Sequence, residues 1–333
     1  MPLKKTKNRP ELACFDVLKL LSPEEFVSGE VIARNLGCSR ATVNNALHDA
    51  QAAGVVVHAV PGRGYRLARP LNWFDVPGLQ RVLQARGMHL QYFQSLPSTN
   101  SYVLRQAQSG EGLHKSVVLA EQQTEGRGRR GRTWLAEPGA GLTFSLLWCS
   151  SRPAVELSGL SLAVGVMLVQ GLRRLGLAQV AVKWPNDIVL GGAKLAGVLI
   201  ELAGDMLGPS AAVIGVGLNV RGGEALTREV GQAVTDLAAH LGEVDRNQVL
   251  LTVLAALDEG LAQFERAGFA AFHADWEACH AFHGEQVTVL TALGERITGQ
   301  SVGVDAHGAL LLATASGVQR FHSGEVSLRG GEA

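Results

Sequence analysis

Val180-Ala181-Val182-Lys183-Trp184-Pro185-Asn186-Asp187-Ile188-Val189-Leu190-Gly191-Gly192-Ala193-Lys194-Leu195-Ala196-Gly197 is the stretch that decides how the middle of the chain folds. Proline forces the residue before it into an extended conformation, so a strand entering from Val180 ends at Trp184. Asn186 and Asp187 open the next strand, and Gly191-Gly192 reads as a two-residue hairpin turn. That turn sets Val189 opposite Lys194. Side chains alternate along a strand, so Asp187 and Val189 share a face. Lys194 and Asp187 are then diagonal neighbours on that face, roughly 7–8 Å apart at Cα. A lone lysine on a sheet otherwise made of Leu, Val and Ile is costly unless an anion meets it. Two readings stand: a plain Lys194–Asp187 ion pair, or two residues facing a ligand. In the second, Lys194 offsets charge on a carboxylate or α-phosphate as an acyl-adenylate forms. Asp187 then orients an incoming amine or a metal-bound nucleotide.

Working outward, residues 116–121, 142–148, 195–202 and 212–218 are apolar runs that predict strands, and 153–177 predicts one long buried helix. Strands alternating with helices from about residue 85 imply an α/β or α+β domain with a mixed sheet. Between the first two strands lies Gly126-Arg127-Gly128-Arg129-Arg130-Gly131-Arg132. Three glycines let its backbone bring N–H groups close to a ligand. Four arginines add fixed charge and forked donors. With almost nothing apolar to anchor it, the segment is expected to be mobile when empty and ordered by an anion such as a phosphate or acyl-phosphate. The spacing is neither a P-loop nor a dinucleotide fingerprint, and an RNA contact or a solvated loop stays open. Ser98-Thr99-Asn100 precedes an expected helix over 101–108. These residues serve either as helix caps or as polar contacts in a small-molecule pocket. Asn219, closing the run 214–218, is equally two-sided.

Residues 1–68 carry nine Lys/Arg against six Asp/Glu, an excess whose sign suits phosphate contacts. Leu12, Phe15, Leu18 and Leu21 recur every three residues, as on a helix face. Ser28 caps a second helix running to Leu36, Gly37 turns the chain, and Ser39 caps a third. On the third helix Val43, Leu47 and Ala50 face inward, leaving Arg40, Thr42, Asn44 and Asn45 for base edges and phosphates in a major groove. Two short strands, 55–60 and 65–67, joined by Pro61-Gly62-Arg63-Gly64, add a wing with Arg63 at its tip. A small helical domain used for protein contacts remains the alternative. Arg69-Pro70 marks the exit from this domain. At the other end, the runs 286–290, 296–304, 309–313 and 318–321 read as short strands of a small barrel.

The chain of 333 residues is 47% apolar and 18% charged, which excludes a disordered protein. Lys plus Arg and Asp plus Glu both number 30, so whole-chain charge selects no partner. Cys14, Cys38, Cys149 and Cys279 lack metal-ligand spacing and are expected as reduced thiols in a cytoplasmic protein, with no metal-ligating residues identified. The basic segment 1–10 has no signal-peptide core. The longest uncharged apolar stretch, 157–172, falls short of the ~20 residues a membrane span needs, so no membrane partner is expected.

These motifs together resemble the bacterial biotin–protein ligases fused to a winged helix. The resemblance rests on Ser98-Thr99-Asn100, Gln123 with the 126–132 loop, Lys183 to Asp187, Lys194-Leu195-Ala196-Gly197 and Gly215-Val216-Gly217-Leu218-Asn219, in that order. Pro61-Gly62-Arg63-Gly64-Tyr65 and Gly324-Glu325-Val326-Ser327-Leu328-Arg329 also match, so it spans about residues 12 to 329. It implies an α+β chain with three domains: a winged helix-turn-helix over 1–68, a class II synthetase-like catalytic domain over 69–281, and an SH3-like barrel over 282–333. It implies ATP, Mg2+ and biotin, first joined as biotinyl-5′-AMP with loss of pyrophosphate. A lysine of biotin carboxyl carrier protein then takes the biotin. By position, Ser98, Thr99, Asn100 and Gln123 look like biotin contacts, and Arg127, Gly128, Arg129 and Arg132 like the loop that closes over the adenylate. Lys194 looks like the lysine at the carboxylate–phosphate junction, with Arg129 and Asp187 completing the catalytic set. Trp134, Asn186 and Asn219 look like residues around the adenylate. The same resemblance implies a homodimer on adenylate binding and operator DNA of biotin genes, read by Ser39, Arg40, Thr42, Asn44, Asn45 and Arg63. Glu125 departs from the pattern by placing an acid just before the loop. A ligand-sensing transcription factor without catalysis and a lipoate–protein ligase are the alternatives.

Overall fold

The computed structural model describes residues 14–204, 209–223, 227, 232–291, 294–322 and, by backbone alone, 327–330. The basic 1–10 segment, Leu12 and Gly324-Glu325-Val326 lie outside the described residues. The chain divides into two units, one of residues 1–72 with 137–139, the other of 73–136 with 140–333.

The first unit holds α1 (Cys14–Leu18), α2 (Gly29–Asn35) and α3 (Arg40–Ala52), then β1 (Val57–Val60) and β2 (Gly64–Leu67). Ser28 and Ser39 cap α2 and α3, their hydroxyls accepting from the backbone N–H of Val31 and Thr42. Val43, Leu47 and Ala50 are buried with Phe15, Leu18, Leu21 and Ile32, so the periodicity located the core face. Ser39, Arg40, Asn44 and Asn45 are exposed, and Thr42 is half-buried with its hydroxyl 2.8 Å from Ser39 Oγ. The hairpin pairs Val57 with Leu67 and Val60 with Gly64. At its tip the Arg63 guanidinium lies 4.6 Å from the Phe26 ring, and that of Arg66 lies 4.9 Å from it. An aromatic face beneath two cations limits where the wing can carry its charge.

The second unit is built on a seven-stranded mixed sheet. Its strands are β3 (His89–Leu96), β4 (Ser116–Gln123), β5 (Gly141–Ser150), β6 (Ala181–Lys183), β7 (Asp187–Leu190), β8 (Ala193–Gly204) and β9 (Ser210–Asn219). Their order is β3-β4-β5-β9-β8-β7-β6, with β3 and β4 parallel and the other pairs antiparallel. Along β5, Leu142, Phe144 and Leu146 join the main core, and along β9 Ile214, Val216 and Leu218 do the same. After α4 (Val76–Gln84) and α5 (Thr99–Ser109), the helix α6 (Leu160–Arg174) and the long helix Arg246–Ala267 cover that face. Each fully buried Leu or Val there contributes about 1.5–3 kcal/mol of transfer free energy. On the opposite face α5 packs Val103 against Val118, Ala120, Leu147 and Val213. The remainder of that face is left open for a site.

Several expectations shift. The buried helix begins at Leu160, not 153. Residues Ala154–Leu157 form a separate 3-10 turn, and Gly159 at φ +78° breaks the path between them. A Cβ there would lie 2.5 Å from Phe269, so no other residue fits. The helix after Ser98 begins at Thr99, which puts Thr99 and Asn100 inside its first turn. The wing strand starts at Val57 because Ala53 and Gly54 still close α3. Strand β3 is an edge strand that the apolar runs did not name.

At the C-terminal end, β10 (Gln286–Leu290), β11 (Arg296–Val304), β12 (Leu310–Thr314), β13 (Gly317–Phe321) and β14 (Ser327–Gly330) form an antiparallel sheet in the order β13-β12-β11-β10-β14. Among the described residues the two edge strands share no ladder, and the C-terminal domain is a small antiparallel β domain. The cis Trp184–Pro185 peptide meets this domain: the buried Trp184 indole donates to Gly308 O at 3.1 Å. No described helix is long and apolar enough to cross a membrane. The four cysteines are free thiols, and burial pushes Cys279 up to about 11.

Candidate active site

Gly191 and Gly192 take φ +59° and +78°, the left-handed values of a tight hairpin turn, and pair Leu190 with Ala193. Val189 therefore stands opposite Lys194. One further device was invisible in sequence. The register shifts between Ile188 and Val189, so Ile188 meets Ala196 and Asp187 meets Gly197. A bulge of this kind re-aims side chains. Lys194 Nζ reaches Asp187 Oδ1 at 2.7 Å, the ion pair that the sequence left open, both side chains about four-fifths buried. The backbone of Lys194 is clamped as well: its N–H donates to Ala233 O, and its carbonyl accepts from Thr235 N and, at 3.4 Å, from Asn219 Nδ2.

On the same sheet face Gly215 and Gly217 alternate with the core residues of β9. A Cβ at Gly217 would lie 2.2 Å from the Trp134 indole, and one at Gly215 would lie 2.2 Å from Asn100 Oδ1. The two glycines are thus seats for side chains arriving from elsewhere in the chain. The indole also lies beside Lys194, whose Nζ is 5.6 Å from the ring. Its Nε1 is buried with no hydrogen-bond partner, as is the hydroxyl of Thr143 on β5.

The glycine–arginine segment folds back on itself. Trp134 N–H donates to Gly126 O at 2.9 Å, Gly128 N–H to Arg132 O at 2.7 Å, and Arg130 takes φ +57° at the tip. Its four arginines divide. Arg127 pairs with Glu201 and donates to Ser101 Oγ at 2.9 Å. Arg129 is half-buried and donates to Asn186 Oδ1 at 3.1 Å. Burial, with Arg130 alongside, lowers the proton affinity of its guanidinium, and Asp187 opposes that shift. Arg130 and Arg132 are exposed.

At the far end, Gln123 Oε1 accepts from both the N–H (2.7 Å) and the hydroxyl (3.0 Å) of Thr99. A backbone N–H can only donate, so this contact fixes the amide orientation and leaves Gln123 Nε2 as the donor to spare. Ser98 caps α5, its hydroxyl taking the Ser101 N–H. The fully buried Ser145 Oγ lies 2.7 Å from Thr99 Oγ1 and 2.6 Å from Asn100 Oδ1.

One cavity of about 870 Å³ takes in Ser98, Thr99, Asn100 and Gln123 together with Asn186, Asp187 and Lys194. Arg127, Gly128, Arg129, Arg132, Trp134 and Asn219 also border it, so every residue singled out for small-molecule binding reaches the same space. Ser145 and Glu201 were missed, because only the folded sheet brings them to residues 99–101 and 127. Lys183 and Phe282 also border the cavity, the latter from the C-terminal domain, with Lys183 Nζ 5.8 Å from the Phe282 ring. Asp187 is the cavity's one carboxylate among the described residues, and none of these residues forms a cluster of three or more metal-ligating side chains.

A cation-bearing cavity on a mixed sheet, roofed by a glycine–arginine loop and preceded by a helix-turn-helix, defines a protein ligase joined to a DNA-reading domain. Residues 92–219 match the Biotin/lipoate A/B protein ligase family, 282–329 the Biotin protein ligase C terminal domain, and 15–66 an HTH domain. The bifunctional ligase/repressor BirA of Escherichia coli (strain K12) is 35% identical over 317 residues, 95% of this chain and 97% of that protein. BirA of Bacillus subtilis (strain 168) is 30% identical over 321 residues, 94% of this chain and 98% of that protein. The solved biotin protein ligase from Aquifex aeolicus in complex with biotin and ATP superimposes with a TM-score of 0.63 at 32% identity, over 73% of this chain and 99% of that one. The chain belongs to the biotin–protein ligase family, in its bifunctional ligase/repressor branch.

Proposed function

We propose that this chain activates biotin with ATP to biotinyl-5′-AMP, passes the biotin to a lysine of biotin carboxyl carrier protein, and represses biotin-synthesis genes while the adenylate is held. The observation that carries the reading is a single cavity with a fixed amide–hydroxyl end at Thr99 and Gln123 and a cationic end at Lys194 and Arg129.

The ureido head of biotin lies at the Thr99–Gln123 end and its ring against Trp134, which brings the carboxylate to Lys194. The carboxylate oxygen attacks the α-phosphorus, the bond to pyrophosphate breaks, and the electron pair leaves with pyrophosphate. Lys194 and Arg129 offset the charge that gathers on the phosphorus oxygens. In the second step a neutral lysine amine attacks the acyl carbon and AMP departs. Asp187, loosened from Lys194, orients the amine and takes its proton. The mixed anhydride hydrolyses readily, so a loop that orders over it and excludes water serves both steps. Mg2+ is the expected companion of the nucleotide. The cavity's carboxylate is already paired with Lys194, so these residues build no dedicated magnesium site.

In the same proposal residues 1–68 read operator DNA, 69–281 catalyse and 282–333 close the site from the side of Phe282, in a cytoplasmic protein. Ser39, Arg40, Thr42, Asn44, Asn45 and Arg63 face the DNA, and adenylate-linked dimerisation pairs two readers on a two-fold operator. The test is biotin-dependent ATP–pyrophosphate exchange, run beside lipoate, with a gel shift on biotin-gene promoters. Exchange with biotin and an adenylate-dependent shift are expected. No exchange, or exchange with lipoate alone, overturns the ligase assignment. Exchange without any shift overturns the repressor.

A further inference from the structure

Asn100 stands among the expected biotin contacts, yet its amide is already spent. Its Nδ2 donates to Leu199 O at 3.1 Å and to Glu201 Oε2 at 3.0 Å, the two bonds an NH2 group can make. Its Oδ1 meets Ser145 Oγ at 2.6 Å and rests on Gly215, where no Cβ intervenes. At 3% exposure it presents no donor to a ligand. The other oxygen of Glu201 holds Arg127, the first arginine of the loop, which also takes Ser101 Oγ on α5. One carboxylate on β8 therefore ties the loop to the first turn of the helix that carries Thr99. It lies outside the cavity lining.

We propose that Glu201 is a positioning residue of the adenylation site: through Arg127 it sets the seat of the glycine–arginine loop, and through Asn100 it sets the first turn of α5. This rests on the ligase reading above. It reassigns Asn100 from ligand contact to brace, and it assigns the Arg127 side chain to the tether, not to the ligand's phosphate.

The physical logic is geometric. A loop held by backbone bonds near its own neck needs an outside anchor to face a ligand at one height. Arg127 has about half its side chain in solvent, so the ion pair by itself adds little stability. Removing it should disturb placement more than folding.

Four proteins test this: Glu201→Ala, Glu201→Gln, Arg127→Ala and the double Glu201→Ala/Arg127→Ala. Without substrate, trypsin cleavage within residues 126–132 reads the tether. It is expected to quicken roughly five- to tenfold in Glu201→Ala, while the melting temperature stays near that of the unaltered protein. In exchange kinetics, the biotin KM is expected to rise about tenfold with kcat within about twofold, and release of bound adenylate to quicken in step. Glu201→Gln keeps an acceptor for Asn100 and recovers part of the KM. The double variant is expected to be no worse than Glu201→Ala, because both cut one connection. Unchanged cleavage and KM in Glu201→Ala overturn the proposal. So do effects of the two single changes that multiply independently, or a loss confined to kcat. If the unaltered chain shows no biotin-dependent exchange, the ligase reading has failed, and the cleavage comparison alone decides the tether.

Discussion

Gly217→Ala places a methyl group where the Trp134 indole now rests. The added Cβ would sit 2.2, 2.5 and 2.6 Å from Cε2, Cζ2 and Nε1 of the ring, whereas ordinary contact begins near 3.4 Å. The indole must therefore retreat by about 1.2 Å, the difference between 3.4 and 2.2 Å. Beneath it is the sheet, so it moves up into the cavity and away from its place beside Lys194. Overpacking of this kind costs about 1–3 kcal/mol in a rigid core. Here the ring is only half-buried and its loop can give, so stability should fall by about 1 kcal/mol, a few degrees at most. Substrate alignment is less forgiving, since a displacement near 1 Å can cost up to about a hundredfold. In ATP–pyrophosphate exchange the biotin KM is expected to rise ten- to a hundredfold. The cause can be isolated, because Trp134→Leu removes the ring. In that background Gly217→Ala should change KM by less than about twofold. A KM within twofold of the unaltered protein for Gly217→Ala alone, or an equal penalty in both backgrounds, refutes the reasoning.

Four further outcomes follow from the structure. Lys194→Ala leaves Asp187 without its 2.7 Å partner and removes the cation at the expected anhydride; exchange should drop by about 10²–10³. Arg129→Ala, which also frees Asn186, should mainly speed adenylate release, as a trapped-adenylate chase would read. Arg40→Ala should weaken operator binding and lower the slope of its salt dependence by about one while exchange stays within twofold, because Arg40 lies exposed at the start of α3. His280 is buried against Trp276, rings 4.4 Å apart, and burial, with His283 nearby, pushes it down to about 4. Its folded value lies below the ordinary 6.5, so the unfolded chain takes up a proton first as pH falls. Stability should therefore fall between about pH 6.5 and 4, by about 3 kcal/mol at about 1.4 kcal/mol per pH unit. Denaturant titrations of the unaltered chain and of His280→Gln should converge at low pH, and parallel curves would show that His280 is not responsible.

What the sequence disclosed and what it withheld divide along contact range. Caps at Ser28 and Ser39, the Gly191-Gly192 turn and the Val189–Lys194 register are local, and a few neighbouring residues specify each. The bulge after Ile188 is not encoded by any breaker residue and emerged only with the folded sheet, whereas the Lys194–Asp187 ion pair was one of the two readings the sequence offered. The start of α6 was misread because apolar content continues through Leu157 while Gly159 interrupts the backbone. Half-polar β3 hid for the opposite reason: as an edge strand it buries too little to show an apolar run. Lys194 was legible as a charge on an apolar sheet and the arginines as a cationic glycine loop, whereas Gln123 and Trp134 were named only through the family resemblance. The braces of the cavity residues were not legible, since Ser145 meets Asn100 across 45 residues and Glu201 meets it across 101. Roles that depend on such distant partners, Asn100's above all, cannot be assigned from a motif.

The most direct test of the central claim, that one cavity builds an activated biotin, is to capture the activated species. Incubated with biotin, ATP and hydroxylamine, the full chain should release biotinyl hydroxamate at a steady rate, and Lys194→Ala should release almost none. Hydroxamate formed from lipoate but not biotin, none from either, or equal yields from both proteins would contradict it.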